Sequence, residues 1–444
     1  MTANPADFTS ADLRQTLKTT LRGRVWTPDH TDFDGVRAPW NRAIEQPALA
    51  VVEAADVADV VALVGIASRH GIGISVQPSG HGATGRTAGT VLLRTGLLDT
   101  IEIDAASRTA TVGAGVRSGA LQAAAAAHGL TGLPGSSPVV SVAGVALGGG
   151  LSWFGRAYGW VADSVTAFDV VDAEAQVRHV TADTDPDLFW ALRGGGGDYA
   201  IVTRLELSLH DALEVYGGRL LWSGKYARDV VDAYRRLTDE APDELTAWLS
   251  LMQFPGADPM VAIDSTYLGS GSGARAVTGA LDGLPEPISD GRRPMTVAEL
   301  GSITAEPTDP VAVLSRAELL TAFDESVAAT LLADPIAPLV GVQIRHLGGA
   351  LASASDSPHG ALHEPYALYT LGLPLDENIA VDVETKQRLL AESLPVSGRK
   401  PVTFLNPSES LADALPQASI ARLRTIKLDR DPTNVFRSNF GATG

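Results

Sequence analysis

The stretch Gln77–Gly85 reads QPSGHGATG, with His81 held between Gly80 and Gly82. A loop this rich in glycine lets backbone N–H groups approach a ligand with no Cβ in the way, and such nests hold phosphate oxygens. A neutral imidazole is a nucleophile near pH 7. The two flanking glycines leave room beside His81 for a bulky ring system. The plainer alternative is a histidine hydrogen-bonded within its own loop. Two more glycine-rich segments follow, Gly132–Gly150 and Gly194–Gly197.

Outward from this loop the chain alternates between the two hydrophobic periods. Residues 48–52, 72–77, 91–93, 101–104 and 109–112 read as short strands. Residues 57–70 have helical spacing, ended by Gly71, and residues 118–128 form a second helix. Residues 10–22 suggest a surface helix with Ser10 as N-cap. Residues 166–172 and 177–181 read as a hairpin, 187–192 as a helix, 199–209 as a strand and 419–428 as a late helix. Near residue 210 the pattern changes, and residues 217–270 and 336–375 mix strands and helices again.

Rival readings fail on their own chemistry. Gly113-Ala114-Gly115-x-x-x-Gly119 follows a strand and precedes a helix, as a dinucleotide-binding turn would. That turn wants an acid about 20 residues on to hold ribose hydroxyls, yet residues 105–162 contain no Asp or Glu. A carboxylate-free wall suits a pyrophosphate instead, since an acid there would repel it. Residues 129–155 carry no charge and could span a bilayer by length. Pro134, Pro138 and Gly148-Gly149-Gly150 argue for irregular backbone packed around something buried and uncharged. There is no GxxxxGKS/T loop and no HExxH. His359 and His363 have zinc-ligand spacing, but Pro358, Gly360 and Pro365 oppose a helix, so they read as loop or strand histidines beside a substrate cavity.

The 444 residues exceed one ordinary core, so two domains or an inserted lobe are expected. With 34 Lys+Arg against 52 Asp+Glu, a net charge of −18 argues against nucleic-acid or anionic-membrane partners. The chain has no cysteine, which excludes disulfides, thiolate metal sites and a cysteine nucleophile. The opening MTANPADFTSADLRQTL has no apolar core of a signal peptide, so a cytoplasmic location is expected.

Five ordered blocks resemble the berberine-bridge-enzyme-like FAD-linked oxidases, within the vanillyl-alcohol oxidase superfamily. They are QPSGHGATG (Gln77–Gly85), LPGSSPVVSVAGVALGGGLSWFGRAYG (Leu133–Gly159), DLFWALRGGGGDYAIVTRLEL (Asp187–Leu207), QIRHLGGAL (Gln343–Leu351) and RLRTIKLDRDPTNVFRSNF (Arg422–Phe440). The resemblance implies an α+β, two-domain PCMH-type FAD-binding fold with an inserted antiparallel-sheet substrate domain covered by helices. We expect a FAD-binding domain over 1–212 (core about 44–212), a substrate domain over 213–400 and a C-terminal segment, 401–444, returning to the first.

The resemblance also implies roles. His81 matches the histidine bonded to the flavin 8α-methyl. Gln77, Pro78, Ser79, Gly80, Gly82, Gly135, Ser136, Ser137, Val140, Gly144, Gly149, Gly150, Leu151, Ile201, Val202, Asn434 and Asn439 are the expected FAD contacts. Many relatives add a cysteinyl link; Ser137 stands at that position, so the link here is single. Val140 stands beside the flavin C4a edge, where small size is expected to admit O2 and favour an oxidase that yields H2O2. Several relatives place a tyrosine base where this chain has Phe404, so another group must act. Gln343 and Arg345 share one side of their strand, Ile344 and His346 the other. His346 and Tyr369 are the catalytic candidates; Gln343, His363 and Tyr366 are substrate candidates. Trp222, Trp248 and Tyr267 are either stacking or core residues. The expected substrate is a small secondary-metabolite-like alcohol, amine or polyketide. The alternatives are a dehydrogenase with another acceptor, or a flavin-binding protein without oxidase turnover. No metal is expected, and no signature sets an oligomeric state.

Overall fold

The computed structural model describes residues 9–443. Residues 1–8, part of the opening stretch read above, and Gly444 lie outside the described residues.

Two small sheets build the N-terminal half. The first has the order Arg24–Trp26, Ala50–Glu53, Thr90–Arg94, Gly73–Val76, and its last three strands run parallel. The helix Val57–His70 is the crossover. Asp56 caps its N-terminus, and Gly71 at φ 66° ends it in the left-handed conformation. Val60, Leu63, Val64 and Ala67 lie on its buried face and pack on Val52, Ile74 and Val91. The second sheet is antiparallel, in the order Ile101–Asp104, Thr109–Gly113, Ile201–Ser208, Val165–Val171, Val177–Val180.

This antiparallel setting removes the dinucleotide-turn rival. Gly113 and Gly115 are glycines because backbone passes close by: an added Cβ would stand 2.1 Å from the Leu98 oxygen and 2.2 Å from the Thr95 oxygen. Residues 129–155 hold only the short strand Leu130–Thr131 and the short helix Val142–Leu147. Among the described residues no helix is long and apolar enough to cross a membrane.

From Val215 the chain builds a single large antiparallel sheet. Its order is Ser289–Asp290, Val215–Ser223, Met260–Leu268, Leu245–Met252, Leu339–His346, Tyr366–Gly372, Leu314–Leu320, with Arg293–Met295 also paired to Val215–Ser223. Strand alternation splits its side chains between two faces. Leu220, Leu249, Ile263, Ile344 and Leu368 meet the helices Ala227–Asp239, Glu325–Leu332 and Glu377–Glu392. Val215 and Trp248 belong instead to the core that includes Trp153 and Phe168 of the N-terminal half. We propose the domain division in the link between Asp211 and Val215.

The last segment turns back on the first sheet. Ile74 donates its N–H to the Val435 carbonyl, and Arg437 donates to that of Ile74 (2.7 and 2.9 Å). Its preceding helix spans Gln417–Arg430. Most expected elements match within two or three residues. The first helix is capped by Thr9, which forms a capping box with Asp12, rather than by Ser10.

Candidate functional site

The loop after the strand Gly73–Val76 places His81 partly buried, its ring stacked on Trp40 at 4.4 Å. Its Nδ1 lies 2.9 Å from Ser79 Oγ. Its Nε2 is buried with no partner. Burial pushes its pKa down from 6.5 to about 4, and the nearby Arg117 acts in the same direction. The ring is therefore neutral at physiological pH, the state a nucleophile needs. No atom lies within 4 Å of the place a Gly82 Cβ would take. A cavity of about 250 Å³ opens beside the loop, lined by Trp40, Pro78, Ser79, Arg94, Arg117 and Thr308 among others.

Unpartnered buried polar atoms are rare in folded proteins. Several lie on the segments expected to hold flavin, among others elsewhere in the chain. Besides His81 Nε2 they include Gln77 Oε1, Ser137 Oγ and Ser438 Oγ. Gln77 also donates to Gln46, which fixes it in the loop wall. Gly135 has no neighbour closer than 3.8 Å to its missing Cβ. Ser141 caps the helix Val142–Leu147 by accepting from the Gly144 N–H. Val140, just before that cap, and Leu151, four residues past the end of the helix, are half-buried, as are Ser136 and Pro78. The Asn439 carbonyl accepts from Thr84 Oγ1 (3.3 Å), so the C-terminal segment reaches the His81 loop. These residues fit an FAD: a neutral histidine, unsatisfied polar groups and, among the described residues, no acid in the lining of the adjoining cavity.

Other expected residues have different work. The His359 ring fills the space that Cβ atoms on Gly149 and Gly194 would occupy, 2.2 and 2.5 Å away. Those glycines seat a buried histidine that stacks on Trp160 at 4.6 Å. His359 thus packs on the glycine loops, not beside a substrate cavity as expected. Gly150, at φ 76°, faces Val145 and Val161. Gly80, at φ 78°, packs on Pro39. Ile201 and Val202 are core residues of the second sheet's central strand. Asn434 is an exposed turn residue at φ 55°, a conformation asparagine tolerates; its expected contact with the cofactor is corrected to a turn.

Parity along the strand Leu339–His346 decides which residues face the FAD-binding half. Gln343 pairs with Ser250 and Tyr369, and Arg345 with Trp248. The Arg345 guanidinium lies over Trp248 (4.1 Å), Tyr369 (4.9 Å) and Phe404 (5.1 Å). Trp248 stacks at 3.6 Å on Trp153 from the N-terminal half. This face meets the FAD-binding half. His346 and Tyr366 lie on the opposite, helix-covered face. His346 Nε2 is 3.1 Å from Arg156 Nη1, and its ring stacks on Tyr366, whose hydroxyl bonds Thr238. Both are corrected to structural residues. His363 is exposed. Tyr369 lies beside the Arg345 guanidinium on the face that meets the FAD-binding half, and burial pushes its hydroxyl pKa up, so it stays protonated. Trp222 is core, with its indole N–H on the Pro285 carbonyl, and Tyr267 packs against the same core. Sequence reasoning missed Trp40, His359 as a packing residue, and the aromatic surround of Arg345. Among the described residues no His, Cys, Asp and Glu group could hold a metal.

The buried neutral histidines predict a pH dependence. Burial takes His346 down to about 3 and His359 to about 4. Above pH 6.5 both states are neutral and nothing changes. Below it the unfolded chain takes up protons that the fold refuses, so stability falls with pH. The urea midpoint is expected to drop between pH 7 and 5.5; a flat profile contradicts these assignments.

Residues 48–181 match the FAD binding domain family. The chain is 30% identical over 294 residues to (R)-6-hydroxynicotine oxidase of Paenarthrobacter nicotinovorans, covering 64% of each chain. It spans less than two thirds of the length of that curated relative. In structure it matches Physcomitrella patens BBE-like 1 with a TM-score of 0.85 at 21% identity, covering 97% of this chain and 98% of that one. It matches 6-hydroxy-D-nicotine oxidase from Arthrobacter nicotinovorans with a TM-score of 0.80 at 25% identity, covering 94% and 97%. Fold and site together define a two-domain FAD-binding protein of the PCMH type. The chain carries an FAD binding domain and is similar, in sequence and in fold, to the berberine-bridge-enzyme-like FAD-linked oxidoreductases.

Proposed function

We propose that the protein is an FAD-dependent oxidase whose flavin is carried on His81 alone. It takes hydride from a small organic alcohol, amine or polyketide-like substrate and passes the electrons to O2, giving H2O2. It acts in the cytoplasm, with neither nucleic acid nor membrane as partner. The observation that carries the reading is His81: neutral by burial, stacked on Trp40, and presenting a buried, unpartnered nitrogen in the glycine loop. FAD, when bound, supplies the hydride acceptor. The chain's own residues orient it. The 77–82 loop and the 135–137 segment wrap it, Ser137 offers no thiolate for a second bond, and Gln343 and Tyr369 present hydrogen-bonding groups to the substrate.

The test needs no knowledge of the substrate. Holoenzyme photoreduced without oxygen and mixed with oxygenated buffer should regain its yellow colour and release stoichiometric peroxide. A flavin that stays reduced, or reoxidises without peroxide, would sink the oxidase reading. Val140 lies half-buried just before the cap of the helix Val142–Leu147. Val140→Ile adds one methylene at the expected oxygen path. Reoxidation is expected to slow about tenfold, a barrier change of roughly 1.4 kcal/mol, with reduction by substrate unchanged. Equal reoxidation rates in both proteins would remove Val140 from the oxygen path.

A further inference from the structure

Arg345 is the most unusual charge in the chain. It is 5% exposed. Among the described residues no carboxylate lies within 4.0 Å of it. A buried cation is costly unless something compensates it. The nearest opposite charges act only from a distance. Asp264 is committed to a bidentate pair with Arg219 (2.6 and 2.9 Å) and accepts from Ser250. Glu306, on the loop before the strand Leu314–Leu320, is half-buried and forms no ion pair with it.

The guanidinium's surfaces can be assigned one by one. Its flat faces are covered by Trp248, Tyr369 and Phe404. Its Nε and one hydrogen of Nη2 donate to Gln343 Oε1 at 3.1 and 2.9 Å. Nη1 makes no hydrogen bond among the described residues. What remains is the outer fork, Nη1 together with the second hydrogen of Nη2. Two parallel N–H groups in one plane match the two oxygens of a carboxylate. Gln343 and the aromatic rings hold this fork in place, so little entropy is lost when it is used.

We infer that the outer fork of Arg345 binds a carboxylate of the substrate, which makes the substrate class a planar organic acid. The aromatic surround favours a flat molecule, and Gln343 positions the arginine by its hydrogen bonds. The inference rests on the reading that this face of the sheet covers the flavin.

The probe is benzoate, with benzamide as its neutral isostere, titrated into the wild-type holoenzyme. Binding is read from quenching of tryptophan fluorescence and from perturbation of the bound flavin's visible spectrum. Benzoate is expected to bind at least about tenfold more tightly than benzamide. Arg345→Met should remove that preference by weakening benzoate alone, and Arg345→Lys should keep part of it. Glu306→Gln should tighten benzoate, because it removes a competing negative charge. Equal binding of the two probes to wild type, no binding of benzoate, or an unchanged preference in Arg345→Met would each overturn the proposal. The wild-type comparison stands even if Arg345→Met does not fold. Fluorescence quenching without any change in the flavin spectrum would keep the carboxylate site but contradict its placement over the flavin.

Discussion

His81→Ala is expected to give a protein whose FAD leaves entirely on acid treatment, where the wild type keeps essentially all of it. The change removes the proposed point of attachment, and no other residue can replace it. The chain has no cysteine, and the Ser137 hydroxyl is a weak nucleophile without an adjacent base. The fold should survive, because His81 sits in a loop and, among the described residues, makes one side-chain hydrogen bond, to Ser79. Trp40 loses its stacking partner, at a cost of about 1 kcal/mol. FAD should still bind without the link, through the loops around Gly82 and Gly135. Visible absorbance of the acid supernatant makes the comparison. A variant that retained flavin in its pellet would place the link elsewhere.

The second large effect concerns the return of the C-terminal segment. Lys427 is buried, and its ammonium donates to Asp431 (2.8 Å), to the Asp198 carbonyl (2.8 Å) and to the Phe436 carbonyl (2.6 Å). Asp431 accepts in turn from the N–H groups of Val435 and Phe436, both at 2.8 Å. Asp198 accepts from Ser438 and Ala442. One lysine and two aspartates thus fold residues 435–442 into the chain that pairs with Ile74 and reaches the His81 loop. Asp431→Ala leaves the buried ammonium with the more distant Asp198 carboxylate, 3.6 Å away, as its remaining ion-pair partner, and two N–H groups unpaired. The expected loss is about 3–5 kcal/mol, read from the urea midpoint. A change below about 1 kcal/mol would show that the network is not needed to hold the segment.

Much of the fold was legible because its signals are local. The helix Val57–His70 has its cap, its apolar stripe and its terminal glycine within one short stretch. The glycine loops and the acid-free run of residues 105–162 stand out by composition. The harder questions depend on which residues distant segments bring together. Trp40 meets His81 only after the chain has folded. His359 fills the notch at Gly149 and Gly194 from far along the sequence. The substrate face turned on one step of strand parity. His346 and Arg345 are adjacent, and the sequence shows that they face opposite ways, but not which way is inward. The helices packed on Ile344 answer that. The same parity turned a candidate base into a structural histidine and brought an arginine to the face that meets the FAD-binding half.

Phe404 is informative for a similar reason. Its ring stands 5.1 Å from that of Tyr369 and covers the Arg345 guanidinium. The position where several relatives are expected to carry a hydroxyl here completes an apolar surround for a cation.

The central claim is a single covalent flavin on His81. Acid precipitation of the purified wild-type protein, followed by proteolysis and peptide mass measurement, tests it most directly. The account predicts a yellow pellet, a colourless supernatant and one modified peptide, the one containing His81, heavier by one FAD. A yellow supernatant with an unmodified His81 peptide would contradict it.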